Sequence, residues 1–473
     1  MGHNGQSAWA FTAGGNNLVD YTKLELNPEN RNQYNTAVGW QDFKTKRESI
    51  YTSATDTGII VDVKQSDYGV IVDEDSTALT ATAINWVGYQ TRLNDALSHA
   101  FELSQINSYE QFRSVVTNVG AIDANYMYTD INGNIGYQLA SPVVRREGDN
   151  LNLTHSYLTG VIEYQFYPED SLAHSINPEK GWLASSNNIP EWNSMYDGFY
   201  FADRIISINE LLNSKDKFST SDMYTFQFDN KNRYLQMIQN LIIETLNNID
   251  SIEIASSYAS YDFSFDTSSH FAALTIVYLN KFKEFTFSDN MGELNQEVPA
   301  KWIEHLAQVD SAGWFDDRNT ENVTESMLDI SSRAMRSALE ITKGKNWGDM
   351  HTLTMEHPMA VIPVVGSLLG LSTETEARGG APGTLNASFY SKISDSSYTS
   401  VAGASMRLVV DFNDPDAATI VLPAGNSGNP MSDHFMDFYE LWKTNGRWNV
   451  PLSKDKVYAK AVSTLTLIPE EER

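Results

Sequence analysis

The periodicity of apolar residues changes twice along this chain, and the order of the changes limits the folds open to it. Residues 1–90 carry short β-rich runs, at 7–13 and 58–72, broken by Gly, Asn and Asp. Helical spacing follows at 93–103 and 109–116, the second with Ser108 placed to cap it. Residues 125–139 form the clearest hairpin pattern: two tyrosine-rich β-runs flank Asn132-Gly133, a dipeptide suited to a type I′ turn because both central residues take positive φ. From Arg204 to about residue 345 helices dominate. Ile205, Ile208, Leu211 and Leu212 share one face, Ser219 with Asp222 forms a capping box, and Met237, Ile238, Leu241, Ile242 and Leu246 continue the period. Strand patterns return at 406–412 and 419–422, before an amphipathic helix at 435–442. Grouped strands, then helices, then strands predict an α/β mixed (α+β) chain rather than alternating βαβ units. The segments are 1–200 mainly strand, 201–345 mainly helical, and 346–473 returning to strand with a late helix. No repeat, low-complexity tract or composition shift marks a boundary between them.

Composition narrows the functions. The 473 residues are 41% hydrophobic and 11% aromatic, enough for a large buried core. Against 33 Lys and Arg stand 61 Asp and Glu, a formal charge of −28. Such a surface repels phosphate backbones and anionic lipid, so neither nucleic acid nor a membrane surface is expected as a partner. No apolar run approaches the ~18 residues that span a bilayer. The absence of cysteine excludes disulfides, thiolate metal sites and Cys nucleophiles. Met1-Gly2-His3-Asn4-Gly5 has neither the basic nor the apolar region of a signal peptide.

Local motifs do not assemble a catalytic set by spacing. Asp130-Ile131-Asn132-Gly133-Asn134 starts like a calcium loop, but the sixth position is not Gly and the twelfth is Ser141, so a hairpin turn is the better reading. Gly425-Asn426-Ser427-Gly428-Asn429 fails the Gly-x-Ser-x-Gly pattern of a nucleophile elbow and reads as a tight loop. His351 and His357 are six apart, not the four of a helical zinc pair, and His434 is remote. Arg145-Arg146, the one arginine pair, reads as solvated surface.

Several ordered stretches nevertheless resemble the penicillin acylase (penicillin amidase) family of N-terminal-nucleophile hydrolases. Gly2-His3-Asn4-Gly5, Trp9 and Thr12-Ala13-Gly14 resemble the family's early β-chain segment, followed by Val19-Asp20. Residues 125–137, Asn-Tyr-Met-Tyr-Thr-Asp-Ile-Asn-Gly-Asn-Ile-Gly-Tyr, are similar to its N-x-x-Y-A-D-x-x-G-N-I-G-Y hairpin and are the most specific match. Ala184 with Asn187-Asn188, then Ala202-Asp203-Arg204-Ile205, Gln227 with Asp229, Gly403-x-Ser405-x-Arg407, and Gly425 through His434 continue the resemblance in order.

The resemblance implies an Ntn-hydrolase αββα sandwich, incomplete at the N-terminus, with a helical insertion. It also implies hydrolysis of a small N-acylated substrate, such as an acyl-homoserine lactone or a β-lactam side chain. In the family a β-chain N-terminal serine attacks the amide and its own α-amine, with an unperturbed pKa of about 8, is the base. Matched positions make the Ala13 backbone N–H and the Asn125 side-chain amide the oxyanion donors, and Arg204 their support. Read without the family, Asn125 is a strand-end residue and Arg204 a helix-start residue beside Asp203 or Glu210. Met1, Phe11 and Trp86 match the acyl-pocket wall, where a flexible Met and two aromatics make an apolar, adaptable surface. Phe11 is larger than the residue found in phenylacetyl-selective members, and Trp86 fits core packing equally well. No organic cofactor is implied. A structural calcium ion would fall to Asn17 and Asp20, with Asn17 replacing an expected carboxylate and lowering the affinity.

The catalytic serine is not among these residues, because the Gly2–Gly5 segment normally follows it by some tens of residues. Ser7 is internal and cannot serve. The implied partners are therefore the missing α-chain and the missing N-terminal segment of the β-chain, with three readings open: a fragment, half of a split gene, or an inactive paralogue. Alone, the chain is expected not to hydrolyse amides. The rival from another class is a non-catalytic secreted binding protein with a Tyr-, Trp- and Asn-rich surface. Analogy with relatives suggests a periplasmic or extracellular location.

Overall fold

The computed structural model describes the chain except residues 52–57, 90–95, 119–121, 146–153, 162, 191–194, 197, 199, 202, 300–301, 303–304, 307–312 and 469–473. Arg146, Ala202 and the first residues of the helix expected at 93–103 lie outside the described residues. The chain forms two compact units, 1–202 and 203–473.

The first unit holds two main sheets. Its strands are β1 (Gly2–His3), β2 (Ser7–Ala13), β3 (Val19–Glu25), β4 (Gln33–Thr36), β5 (Gly39–Asp42), β6 (Lys44–Ile50), β7 (Ile59–Ser66), β8 (Gly69–Asp75), β9 (Thr80–Trp86), β10 (Ala124–Asp130), β11 (Ile135–Ala140), β12 (Thr154–Ser156) and β13 (His174–Ile176). One sheet runs β1-β2-β10-β11-β13 and the other β12-β3-β9-β8-β7-β6. The β-run expected at 58–72 divides into β7 and β8, because Gly69, at φ +128°, lets the chain reverse after Asp67-Tyr68.

The hairpin at 125–139 forms as β10 and β11, paired Asn125 with Leu139 through Thr129 with Ile135. Its turn is not type I′. Of the two central residues only Gly133 has positive φ (+86°), and the connection spans four residues closed by the Gly133 N–H on the Asp130 carbonyl, 3.0 Å. Asp130 explains the difference. Its buried carboxylate accepts from the backbone N–H of Asn132 (2.9 Å) and Asn134 (3.0 Å) and from the Asn134 amide (2.9 Å). Burial alone would raise its pKa, but these bonds prevail and hold it below the ordinary carboxylate range.

One face of this sheet is covered by α1 (Ala96–Leu103) and α2 (Tyr109–Val116), the latter capped by the Ser108 hydroxyl, which accepts from the Gln111 N–H. Phe112, Val116, Tyr126 and Tyr128 pack there. On the opposite face Leu139 packs with Val143, Leu172 and Tyr196.

In the second unit the helices and the returning strands share one core. The 22-residue helix His270–Met291 is buried on nearly all sides of its first half, and Tyr278 stacks on Phe282. Thr245, Ser331 and Tyr278 satisfy one another's hydroxyls within this core at 2.6 and 2.7 Å. Trp347, Met350 and Tyr398, from beyond the helical stretch, belong to the same cluster. The late helix is shorter than its periodicity predicts, Tyr439–Lys443. The residues before it are taken up in turns such as Phe435 N–H to Ser432 C=O, 3.1 Å.

His351 is fully buried in this core. Its ring lies 4.5 Å from that of Trp347, its Nδ1 is 2.6 Å from the Arg378 carbonyl and its Nε2 is 3.1 Å from Ser388 Oγ. Burial pushes its pKa down to about 4. The unfolded chain protonates this residue near pH 6.5, so the folded state holds its full advantage above that pH and loses it as pH falls toward 4. Stability of the second unit should drop by about 2 kcal/mol at pH 5 from this group. Urea denaturation at pH 7 and pH 5 measures it, and His351→Gln should remove that part of the drop.

Candidate active site

The site grows out of one strand register. β2 and β10 pair antiparallel with Ala13 opposite Ala124 and Thr12 opposite Asn125. The Gly14 N–H meets the Asp123 carbonyl at 2.9 Å. Hydrogen-bonded pairs alternate along such a ladder, so Ala13 falls in a non-bonded pair. Its N–H and C=O are therefore directed away from β10, toward the side of β2 where β1 pairs only with Ala8 and Trp9.

Asn125, 1% exposed, leans toward that peptide. Its amide nitrogen donates to the Ala13 carbonyl (3.0 Å) and to Thr12 Oγ1 (3.3 Å), while its amide oxygen accepts from the Tyr137 hydroxyl (2.7 Å). Thr12 in turn meets the Ser185 hydroxyl at 2.6 Å. The structure thus brings together the Ala13 peptide and the Asn125 amide, the two groups the sequence reading paired. Both amide N–H positions are occupied here, so an incoming anion would displace one of these neutral contacts.

Residues outside the expected donor set hold this corner. Asp123 accepts from the Asn16 N–H (2.9 Å) and amide (2.7 Å), and the Asn16 amide oxygen accepts from Tyr200 (2.8 Å). A Cβ on Gly14 would lie 2.0 Å from the Asp123 carboxylate, so a larger residue would push that carboxylate off its bonds to Asn16. Asn187, at φ +69°, donates its amide to the Ala13 carbonyl at 3.0 Å. The adjacent Asn187-Asn188 pair was the available signal, since asparagine tolerates the left-handed region.

The remaining expected residues are placed by their own elements. Arg204 is the second residue of the helix Asp203–Leu212 in the second unit, its Nε 3.9 Å from Asp203 Oδ1. Glu210 is engaged by Arg233 at 2.7 Å. Met1 (45% exposed) precedes β1, and Phe11 (51% exposed) sits 5.5 Å from the Tyr126 ring. The pleat puts Phe11 on the face opposite Thr12 and Asn125. Trp86 ends β9 in the other sheet, edge-on to Tyr89 and packed with Val87, Val144 and Tyr164.

Asn17 and Asp20 are both buried, but Asp20 Oδ1 lies 3.0 Å from His155 Nε2 and Asn17 Oδ1 faces the Val19 N–H at 3.4 Å. Among the described residues no group of three or more His, Asp and Glu side chains is arranged to hold a metal ion. Calcium takes six to eight oxygens and is held by their charge, and of the two expected ligands only Asp20 brings a carboxylate.

In the second unit, Ser405 and Gly425 of the two late motifs line a common cavity of about 980 Å³. His357 Nε2 is 3.1 Å from the Gly428 carbonyl and His434 Nδ1 is 2.8 Å from Asp437.

The family model described as penicillin amidase matches residues 1–459. This chain belongs to the penicillin amidase family. It is 23% identical to the acyl-homoserine lactone acylase QuiP of Pseudomonas aeruginosa, over 98% of this chain and 62% of that protein. It is 26% identical to the penicillin G acylase of Escherichia coli, over 47% of this chain and 27% of that protein. The chain thus spans about three fifths of the length of the first of these curated relatives. A thermostable penicillin G acylase from Alcaligenes faecalis superposes with a TM-score of 0.72 at 16% identity, covering 99% of this chain and 89% of that one. The likeness establishes the Ntn-hydrolase fold.

Within this penicillin amidase chain, Asn187 offers a graded test of the corner. Asn187→Gly keeps the backbone relaxed but removes the amide bond to Ala13, whereas Asn187→Ala also strains the left-handed position. Stability should fall in the order wild type, Gly, Ala, with about 1 kcal/mol between steps, as measured by urea denaturation.

Proposed function

We propose that this chain is the larger part of an N-acyl amidohydrolase that cleaves the linear amide of small acylated amines. The observation that carries the reading is the convergence of the Ala13 peptide and the Asn125 amide on one side of β2. Attack on an amide carbonyl places negative charge on its oxygen, and donors aimed at that oxygen lower the barrier. The Ala13 N–H and an Asn125 N–H are such donors. Neither carries a charge to titrate, which suits a site that must first bind a neutral amide. The nucleophile and base are supplied by a serine at the start of the mature β-chain, on polypeptide upstream of Met1. Its α-amine is half-protonated near pH 8 and serves as its own base.

Acyl-homoserine lactones are the favoured substrate class. The relative named for that activity matches 98% of this chain, against 47% for the penicillin G acylase of Escherichia coli. The test is to co-produce this chain with the upstream polypeptide encoded in frame. Amine release is then assayed on a panel of N-acyl-homoserine lactones and N-acyl β-lactams. Turnover is expected on the lactones. A correctly processed N-terminal serine with no turnover on any of the panel would overturn the hydrolase and favour a binding protein. Asn125→Ala should lower kcat by ~10²–10³ with an unchanged circular dichroism spectrum.

A further inference from the structure

An asparagine amide can be seated either way round, and only one seating offers N–H to an anion. Two groups decide the seating of Asn125. The Ala13 carbonyl can only accept, so at 3.0 Å it selects the amide nitrogen. Tyr137 faces the other end, and its hydroxyl donates to the amide oxygen at 2.7 Å. The contact follows from the hairpin register. Asn125 lies opposite Leu139 and Met127 opposite Tyr137, so Asn125 and Tyr137 are diagonal neighbours on one face of the sheet.

We infer that Tyr137 is a positioning residue for the oxyanion donor Asn125, an inference that rests on the amidohydrolase reading above. A hydrogen bond donated to the amide oxygen draws electron density from the nitrogen and makes its N–H groups stronger donors. The gain is larger toward a full negative charge than toward the neutral Ala13 carbonyl and Thr12 hydroxyl that hold the amide at rest. Tyr137 therefore acts on the transition state more than on the bound substrate, and its signature is in kcat rather than KM. The same bond satisfies an amide oxygen that is almost wholly buried, which would otherwise invite the side chain to rotate.

The test is a double-mutant cycle in the processed enzyme, using an N-acyl-homoserine lactone as substrate. Tyr137→Phe should lower kcat by about ten-fold and leave KM within two-fold. In an Asn125→Ala background the same change should have no further effect, because the group it orients is gone. A full ten-fold loss in both backgrounds would mean a merely structural role and overturn the inference, as would a Tyr137→Phe enzyme with normal kcat. Neither result touches the hydrolase reading, which fails only if the wild type is inactive. A second measurement does not need activity: with ¹⁵N-asparagine labelling, the side-chain amide resonance lost in Asn125→Ala identifies Asn125. Its protons should exchange slowly with solvent in the wild type and at least ten-fold faster in Tyr137→Phe. Unchanged exchange would overturn the inference even in an inactive protein.

Discussion

The antiparallel pairing of β2 with β10 is the constraint on which the rest depends. A shift of one residue would move Thr12 and Asn125 to the helix-covered face and turn the Ala13 peptide back into the ladder. The register is held at both ends by features outside the pairing itself. At one end Gly14 brings the chain against Asp123, whose carboxylate gathers Asn16. At the other, the Ile131 N–H reaches the Gln6 carbonyl at 2.9 Å beside the turn that Asp130 organises. The aromatic packing of Phe112 against Tyr126 and Tyr128 then fixes which face is buried.

The corner built on this register is made of neutral groups. Its amides and hydroxyls (Asn125, Asn187, Thr12, Ser185, Tyr137) are arranged in short hydrogen bonds, and the acidic residues nearby are occupied in shaping turns. In a chain with a formal charge of −28 this has a use. On the amidohydrolase reading proposed above, an uncharged donor pair neither titrates near neutral pH nor attracts a counter-ion into the space where charge would develop.

How much of this was legible depends on the range of the interactions. The hairpin at 125–139 could be read because its two strands are local, yet its turn type could not. Asn132-Gly133 favours a type I′ turn in isolation, and the Asp130 carboxylate overrides that preference by bonding two later N–H groups. The capping box at Ser219 and the cap at Ser108 appear where the residues predict them, since a cap spans three residues. Tyr137, Asp123, Ser185 and Asn187 were invisible as a group. Asn187 is 174 residues from Ala13, and no spacing rule links them.

The sequence by itself determined the class of fold, the order of strand-rich and helix-rich parts, and, through its motifs, membership of the penicillin amidase family. Those depend on patterns that repeat within a few residues or are carried by a recognisable string. Only the tertiary structure decided which way the Ala13 peptide points, how the Asn125 amide is seated, and that the helical and returning-strand segments share one core around Trp347 and Tyr398. Each of these is set by which residues meet across a sheet or a core, and a linear pattern does not encode that register.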